Sequence, residues 1–286
     1  MAQTKAQIQS ILSEANTQPR HRFGQNFMID QNLVRAVADA GELTANDLAI
    51  EVGPGTGTLT EELLARAGAV LAVEIDRDLA ASLRERYAEQ PKFELIEGDA
   101  LAGKHELHAD LLAGMAKARA GGLTPKLVAN LPYNIASPLV VELLLAGVEL
   151  LAFTVQKEVA DRLKAKAGTD DYGPLTASVQ MLAEVEVLRK LPPGAFWPPP
   201  KIDSSLVRLR RRDRLSGRGA AYGRFVQGVF AYRRKTLRKA MSEAGHDPAA
   251  LDRAGLDGTV RPEVLTPEQL LTLFEATGAS GTANAG

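Results

Sequence analysis

The stretch VANLPYNIAS, Val128 to Ser137, puts an amide, a proline and a phenol ring at the end of an apolar run. Pro132 lacks a backbone N–H and stops a strand. An Asn-capped turn would account for Asn130 and Pro132. A site that grips a planar nitrogen heterocycle accounts for Tyr133 as well. The Asn130 side-chain oxygen, with the backbone carbonyl of Leu131 or Pro132, could accept from the two N–H bonds of an exocyclic amine. Such acceptors favour a nitrogen-centred lone pair and stabilise the positive charge that grows as that nitrogen attacks. Tyr133 could stack on the ring, as base-modifying sites do. This chemistry calls for no strong general base.

A second group of residues could hold the other reactant. EVGPGTG places Gly53, Gly55 and Gly57 between a strand and a helix. Backbone there can approach a ligand closely, beside a helix N-terminus, although a tight turn needs the same glycines. Glu74 ends the next strand, where an acid hydrogen-bonds ribose hydroxyls. Asp99 ends the third, and either accepts from an adenine amine or caps the following segment. The nicotinamide fingerprint is G-x-G-x-x-G, whereas this loop is G-x-G-x-G with Glu51 ahead of it. That variant resembles S-adenosylmethionine-dependent methyltransferases. The resemblance implies that Glu51 meets the methionine ammonium, and that a methyl group passes in line from sulfur to nitrogen.

The elements that would position these residues alternate along the chain. Apolar runs begin at Leu48, Val70, Phe93, Lys126 and Leu151, and read as strands buried on both faces. Amphipathic stretches separate them. The alternation predicts an α/β fold with a doubly wound, mostly parallel, Rossmann-like sheet. Ligands of such sheets bind beyond the carboxyl ends of the strands, which puts Glu51–Gly57, Glu74, Asp99 and Asn130 on one rim. VEVLRKLP and SSLVRLRRR read as two further strands flanking a stiff proline-rich loop. Phe196 on that loop is the expected second clamp on the ring, and Trp197 reads equally as a plug over the sheet. From residue 213 the pattern is helical, and Thr266-Pro267 is a good helix start. The expected organisation is an N-terminal extension over 1–20, a methyltransferase domain over 21–212, a small all-helical domain over 213–278 and a disordered tail over 279–286. Leu101–Thr124 reads as a long helical insert of undetermined role.

Composition sets limits. The chain has 286 residues, a formal charge of −1, no cysteine and four histidines. Disulfides, thiolate nucleophiles and cysteine metal sites are excluded. His105 and His108 read as solvated, so no metal is expected. No apolar run nears the roughly 20 residues that span a bilayer, and the N-terminus lacks a signal-peptide core. A soluble cytoplasmic monomer without membrane contact is the expectation.

Six segments carry a family resemblance: HRFGQNFMID, EVGPGTGTLTEELL, NLPYNIASPL, QKEVADRL, FWPPPKIDSSLVRL and FAYRRKTLRKAM. Together they resemble the bacterial rRNA adenine N6,N6-dimethyltransferases over about residues 20 to 275, and most closely the small-subunit (16S) branch. The resemblance implies a class I methyltransferase sheet and S-adenosylmethionine as cofactor, with S-adenosylhomocysteine as product. It also implies dimethylation of two adjacent adenosines near the 3′ end of 16S rRNA, within an immature small subunit. Asn26 and the Met28 backbone match cofactor-contacting positions, as do Gly53, Glu74, Asp99 and Asn130. Leucine is usual in the family where Met28 stands, and a backbone contact tolerates that change.

Charge is uneven. Between Val207 and Ala240 twelve lysines and arginines face one acid, Asp213. Arg233, Arg234, Lys235, Arg238 and Lys239 are expected to crowd two helical turns, where like charges destabilise a helix. A solvated basic face is one account and an RNA-binding surface the other, which the resemblance favours. Loss of Arg234 and Arg238 should weaken RNA binding and flatten its salt dependence. Three alternatives stand beside this reading. They are a large-subunit methyltransferase of the macrolide-resistance type, a non-catalytic nucleic-acid clamp, and a small-molecule methyltransferase. NLPY and YRRKTLRKAM argue against the first, an intact glycine loop with Asn130 against the second, and the basic helical region against the third. Methylation order, exact rRNA positions and any role in assembly or transcription are not legible.

Overall fold

A computed structural model describes residues 3–278 except Lys104, and the backbone only of His21. The expected disordered tail over 279–286 lies outside the described residues. Contacts divide the chain into two units. The first holds the chain up to Ala160 together with Glu186–Arg211. The second holds Asp161–Val185 and the described chain from Arg212 onward.

The first unit is built on a seven-stranded sheet: β1 (Asp47–Val52), β2 (Ala69–Glu74), β3 (Phe93–Glu97), β4 (Thr124–Asn130), β5 (Leu150–Gln156), β6 (Ala183–Leu191) and β7 (Ser204–Arg211). The spatial order is β3-β2-β1-β4-β5-β7-β6. β1 to β5 are mutually parallel and β7 runs antiparallel to β5. All seven strands expected from the sequence are present, with ends moved by a residue or two. The order reverses on either side of β1, between β2 and β4, which creates a crevice at the carboxyl ends of β1 and β4.

The helices of this unit are α1 (Lys5–Glu14), α2 (Gln31–Ala40), α3 (Thr58–Arg66), α4 (Arg77–Arg86), α5 (Ala109–Ala120), α6 (Ala136–Leu145) and the first half of α7 (Lys157–Lys164). Leu33, Val34 and Val37 of α2 and Leu59 and Leu63 of α3 pack on Ala49, Val70, Val128 and Ala152 of one sheet face. The 101–124 stretch is not an insert. A short hairpin (Leu101–Gly103 with Glu106–Leu107) leads into α5, the crossover helix between β3 and β4. α5 buries Leu111 and Met115. Parallel neighbours require such a crossover. α1 belongs to this unit as well. Thr4 and Gln7 form a capping box, and Ile8 and Leu12 are buried with Phe27 and Leu79.

The second unit contains α8 (Pro174–Leu182), α9 (Gly219–Phe230), α10 (Leu237–Glu243), α11 (Ala249–Ala254) and α12 (Pro267–Ala276). It starts earlier in sequence than a boundary at residue 213, because α8 buries Ala177, Val179, Met181 and Leu182 against α9 and α12. Tyr222 meets Phe274 edge-on at 5.8 Å, and its hydroxyl donates to the Pro267 carbonyl at 3.1 Å. α12 starts at Thr266 with a capping box to Gln269.

Candidate active site

The crevice opens into a cleft at the carboxyl ends of the central strands, where ligands of such sheets bind. Asn26, Met28, Glu51, Gly53, Gly55, Glu74, Asp99, Asn130 and Pro132 all line it. The glycine loop is shaped by what covers it. Gly53 and Gly55 hold positive φ (+74° and +60°), which L side chains rarely adopt. A Cβ on Gly55 would stand 2.9 Å from the Phe27 ring, and one on Gly53 would stand 3.2 Å from Pro132. The segment before β1 and the NLPY turn therefore close over the loop at van der Waals range. Gly57 does not line the cleft. Its Cβ would collide with Tyr87, whose hydroxyl donates to the Gly57 carbonyl at 3.2 Å. Gly57 serves the turn and its packing.

Two carboxyls lie beneath the loop. Glu51 is 1% exposed and accepts from Thr60 Oγ1 at 2.6 Å. Burial pushes its pKa up to about 8; the Thr60 hydrogen bond opposes this and the nearby Glu74 charge adds to it. Glu74 uses one oxygen to accept from the Gly55 N–H at 3.0 Å and the other to accept from the Asp76 N–H at 2.9 Å. Burial moves it up to about 7, against the pull of those N–H groups. Glu74 thus ties the glycine loop to the end of β2 before any ligand is considered. Among the described residues neither acid has a basic partner. Asp99 is exposed and accepts from the Leu101 N–H at 3.0 Å, so it opens the hairpin rather than capping a helix. Ile75, absent from the sequence reading, lines the cleft and is 40% exposed beside Glu74.

Asn130 is held at both ends of its amide. Its Nδ2 donates to the Asn26 carbonyl at 2.7 Å, and its Oδ1 accepts a short hydrogen bond from Thr154 Oγ1. Thr154 is fully buried on β5, in register with Asn130. The sequence reading missed it, although a lone hydroxyl in LLAFTVQ was the available signal. Leu131 is buried, and the Tyr133 hydroxyl shares a 2.7 Å hydrogen bond with Ser204 Oγ, which fixes the ring. Burial raises the Tyr133 pKa.

The proline-rich loop corrects one expectation. Phe196, the expected clamp, is 1% exposed within the apolar cluster of α2 and α3, so it presents no free face. Trp197 is half-buried against Phe27, with ring centroids 6.5 Å apart. The two residues pair antiparallel with Met28 and Phe27, and this two-residue ladder anchors the covering segment. Arg20 also pins that segment, donating to Asp76 at 2.7 Å and Asp78 at 2.6 Å. Gln25 donates to Asp76 at 3.0 Å.

The basic cluster of the second unit differs from its expected form. α9 ends at Phe230, so Arg233, Arg234 and Lys235 lie on a turn, and only Arg238 and Lys239 are helical. Four of the five face acids: Arg233 with Glu263 at 3.1 Å, Lys235 and Lys239 with Glu243 at 3.7 and 3.1 Å, and Arg238 with Asp252 at 3.1 Å. Arg234 is exposed without an acidic partner among the described residues. His105 stands 3.5 Å from Glu142, and His108 accepts from the Asp110 N–H. Among the described residues no cluster of His, Asp and Glu could hold a metal ion, and no helix is long and apolar enough to cross a membrane.

Comparison with known proteins accords with this geometry. A "Ribosomal RNA small subunit methyltransferase A" of Pelotomaculum thermopropionicum is 39% identical, with 95% of each chain covered. One of Magnetococcus marinus is 40% identical over 93% of this chain and 94% of its own. A solved 23S rRNA methyltransferase, ErmE, is 31% identical with a TM-score of 0.61, over 88% of this chain and 100% of its own. A dimethyladenosine transferase from Plasmodium falciparum shares the fold with a TM-score of 0.71 at 22% identity, over 89% and 98%. The family model for ribosomal RNA adenine dimethylase matches residues 16–278, a span that takes in both the cleft and the helical unit, and the chain belongs to that family.

Proposed function

We propose that this protein transfers methyl groups from S-adenosylmethionine to N6 of two adjacent adenosines near the 3′ end of small-subunit rRNA, in the cytoplasm and on an immature subunit. The observation that carries the reading is the Asn130 amide, oriented by Thr154 and Asn26 at the edge of a cleft floored by two buried acids that lack cationic partners among the described residues. A cationic, hydroxyl-bearing cofactor suits such acids. Glu51 meets its ammonium and Glu74 its ribose, while Asp99 and the exposed face of Ile75 receive the adenine. The Gly53 and Gly55 backbone allows close approach, and Asn26 and Met28 cover the cleft. When bound, S-adenosylmethionine supplies an electrophilic sulfonium methyl group and leaves as S-adenosylhomocysteine; no metal is needed.

The chain's own work is to present the nucleophile. Asn130 Oδ1 keeps a lone pair beyond the one engaged by Thr154. That lone pair accepts one N6–H, and the Leu131 or Pro132 carbonyl accepts the other. Positive charge growing on the amine is thereby stabilised, and the proton it sheds passes to water. Tyr133, locked by Ser204, stacks on the base. Phe196, buried and paired with Met28 in the ladder, supports the covering segment instead of clamping the base. The name shared by the small-subunit relatives supports that branch. The 31% identity to a 23S rRNA methyltransferase supports the large-subunit alternative more weakly.

The test combines purified protein, radiolabelled S-adenosylmethionine and small subunits lacking the modification, with Asn130→Ala as control. N6,N6-dimethyladenosine at two adjacent positions, absent with the variant, is the expected result. Label on large-subunit RNA alone would move the assignment to the other branch.

A further inference from the structure

The N-terminal segment is built into the back of the glycine loop. Gln3, ahead of α1, is 4% exposed. Its Nε2 donates to the Thr56 carbonyl at 2.8 Å, and its Oε1 accepts from Thr56 Oγ1 at 2.7 Å and from Thr58 Oγ1 at 2.8 Å. Thr56 and Thr58 flank Gly57, and both line the cleft. One amide thus satisfies three polar groups of the loop from a position more than fifty residues away in sequence. The Thr56 carbonyl also accepts from Arg86 at 2.9 Å, so its position is set from two sides.

A separate contact acts on the other half of the loop. Ile8 and Leu12 of α1 are buried in a cluster with Phe27 and Leu79, and Ile29 and Trp197 pack against it. Phe27 is the ring that stands over Gly55. The N-terminal segment therefore meets the loop twice, through Gln3 at Thr56 and Thr58 and through the packing of α1 on Phe27 at Gly55. A loop with three glycines at positive φ has many conformations to lose on binding. Fixing it beforehand lowers the cost of ordering it around a ligand.

We propose that the N-terminal segment is a positioning element of the cofactor site, with Gln3 as a positioning residue, and that α1 docking and cofactor binding are coupled. The inference rests on the reading of the cleft as the S-adenosylmethionine site. Gln3 acts through the loop, so its loss weakens cofactor binding without altering the chemistry at the amine. Coupling of this kind is reciprocal, so the bound cofactor also holds α1 in place.

The test is titration calorimetry of S-adenosylhomocysteine with the full chain, comparing wild type, Gln3→Ala, Thr58→Val and the double variant. Gln3→Ala leaves two buried hydroxyls without their acceptor and is expected to weaken binding roughly tenfold. The double variant is expected to lose less than the product of the single losses, because both remove one interaction. In steady-state assays KM for S-adenosylmethionine should rise in step, while kcat and KM for RNA stay within about twofold, a split that general destabilisation would not produce. Hydrogen exchange on the wild type gives an independent reading, in which saturating S-adenosylhomocysteine slows exchange across residues 5–14. An unchanged binding constant in Gln3→Ala, with wild-type binding intact, overturns the inference alone. If Gln3→Ala fails to fold, unchanged wild-type exchange in α1 overturns it instead. A wild-type protein that binds no S-adenosylhomocysteine overturns the cofactor reading and the inference with it.

Discussion

The cleft of the first unit and the basic segment of the second handle polar groups in opposite ways. In the cleft Glu51 and Glu74 are buried, without cationic partners among the described residues, and they accept from a hydroxyl and from backbone N–H groups. In the basic segment the cations are exposed and four of the five meet acids: Arg233 and Arg238 reach Glu263 and Asp252, and Lys235 and Lys239 share the nearby Glu243. Unpaired buried carboxyls are costly and persist where a ligand or a tuned proton gives them a use. Exposed ion pairs are weak and exchangeable. One region is preorganised for a single small ligand. The other can trade carboxylates for phosphates with little loss.

The sharpest break of that contrast lies at Asn130. Asn130→Ala removes a group that acts on the reacting amine, and kcat should fall by about two to three orders of magnitude, with little change in cofactor affinity. Thr154→Val keeps Asn130 but releases one end of its amide. The Nδ2 bond to the Asn26 carbonyl then holds the amide alone, its aim is looser, and a loss of roughly tenfold in kcat is expected. Equal losses in both variants would mean that Asn130 matters only as part of the β4–β5 pairing.

A pH experiment probes the buried acids without substrate. Glu51 and Glu74 have folded pKa values of about 8 and about 7, raised mainly by burial, against about 4.5 when unfolded. Below pH 4.5 both states hold these protons. Between 4.5 and about 8 the folded state holds protons that the unfolded state has released. Stability of the ligand-free protein should therefore fall as pH rises through that window. Thermal unfolding of wild type and Glu51→Gln from pH 5.5 to 8.5 checks this, with a shallower slope expected in the variant. Parallel slopes would place the titrating group elsewhere.

The sheet was legible because strands buried on both faces read as continuous apolar runs. The rim was legible because topology sends ligands to carboxyl ends, which brought Glu51, Glu74, Asp99 and Asn130 together before any coordinate. What stayed hidden depends on register or on distant contacts. Thr154 matters only because β5 pairs with β4 in the register that sets it opposite Asn130. Phe196 and Trp197 are neighbours in extended chain, so they point to opposite sides. Only the pairing with Phe27 and Met28 decides which one enters the core. Gln3 meets the glycine loop across more than fifty residues, which no local pattern reports. The 101–124 stretch read as helical, but the part α5 plays as a crossover packed on the sheet stayed hidden because ADLLAGMAKARA is rich in small residues and carries only a faint apolar stripe.

The basic segment offers the smallest effect and the finest distinction. The sequence treats Arg234 and Arg238 alike, as two members of one cluster. In the structure Arg238 already faces Asp252, whereas Arg234 faces no acid among the described residues. If the segment contacts phosphates, Arg234 contributes a full charge to counterion release, and Arg238 contributes only after giving up its carboxylate. Arg234→Ala should then lower the salt slope of RNA affinity by about one, uniformly across RNA sequences. Arg238→Ala should lower it by less, and Asp252→Asn should strengthen binding slightly by freeing Arg238. Affinities measured by filter binding from about 50 to 200 mM salt cover the range in which such slopes are read. Identical slopes for the two arginine variants would show that ion pairing in the free protein does not set their contribution. No slope change in either would take the RNA contact away from this segment.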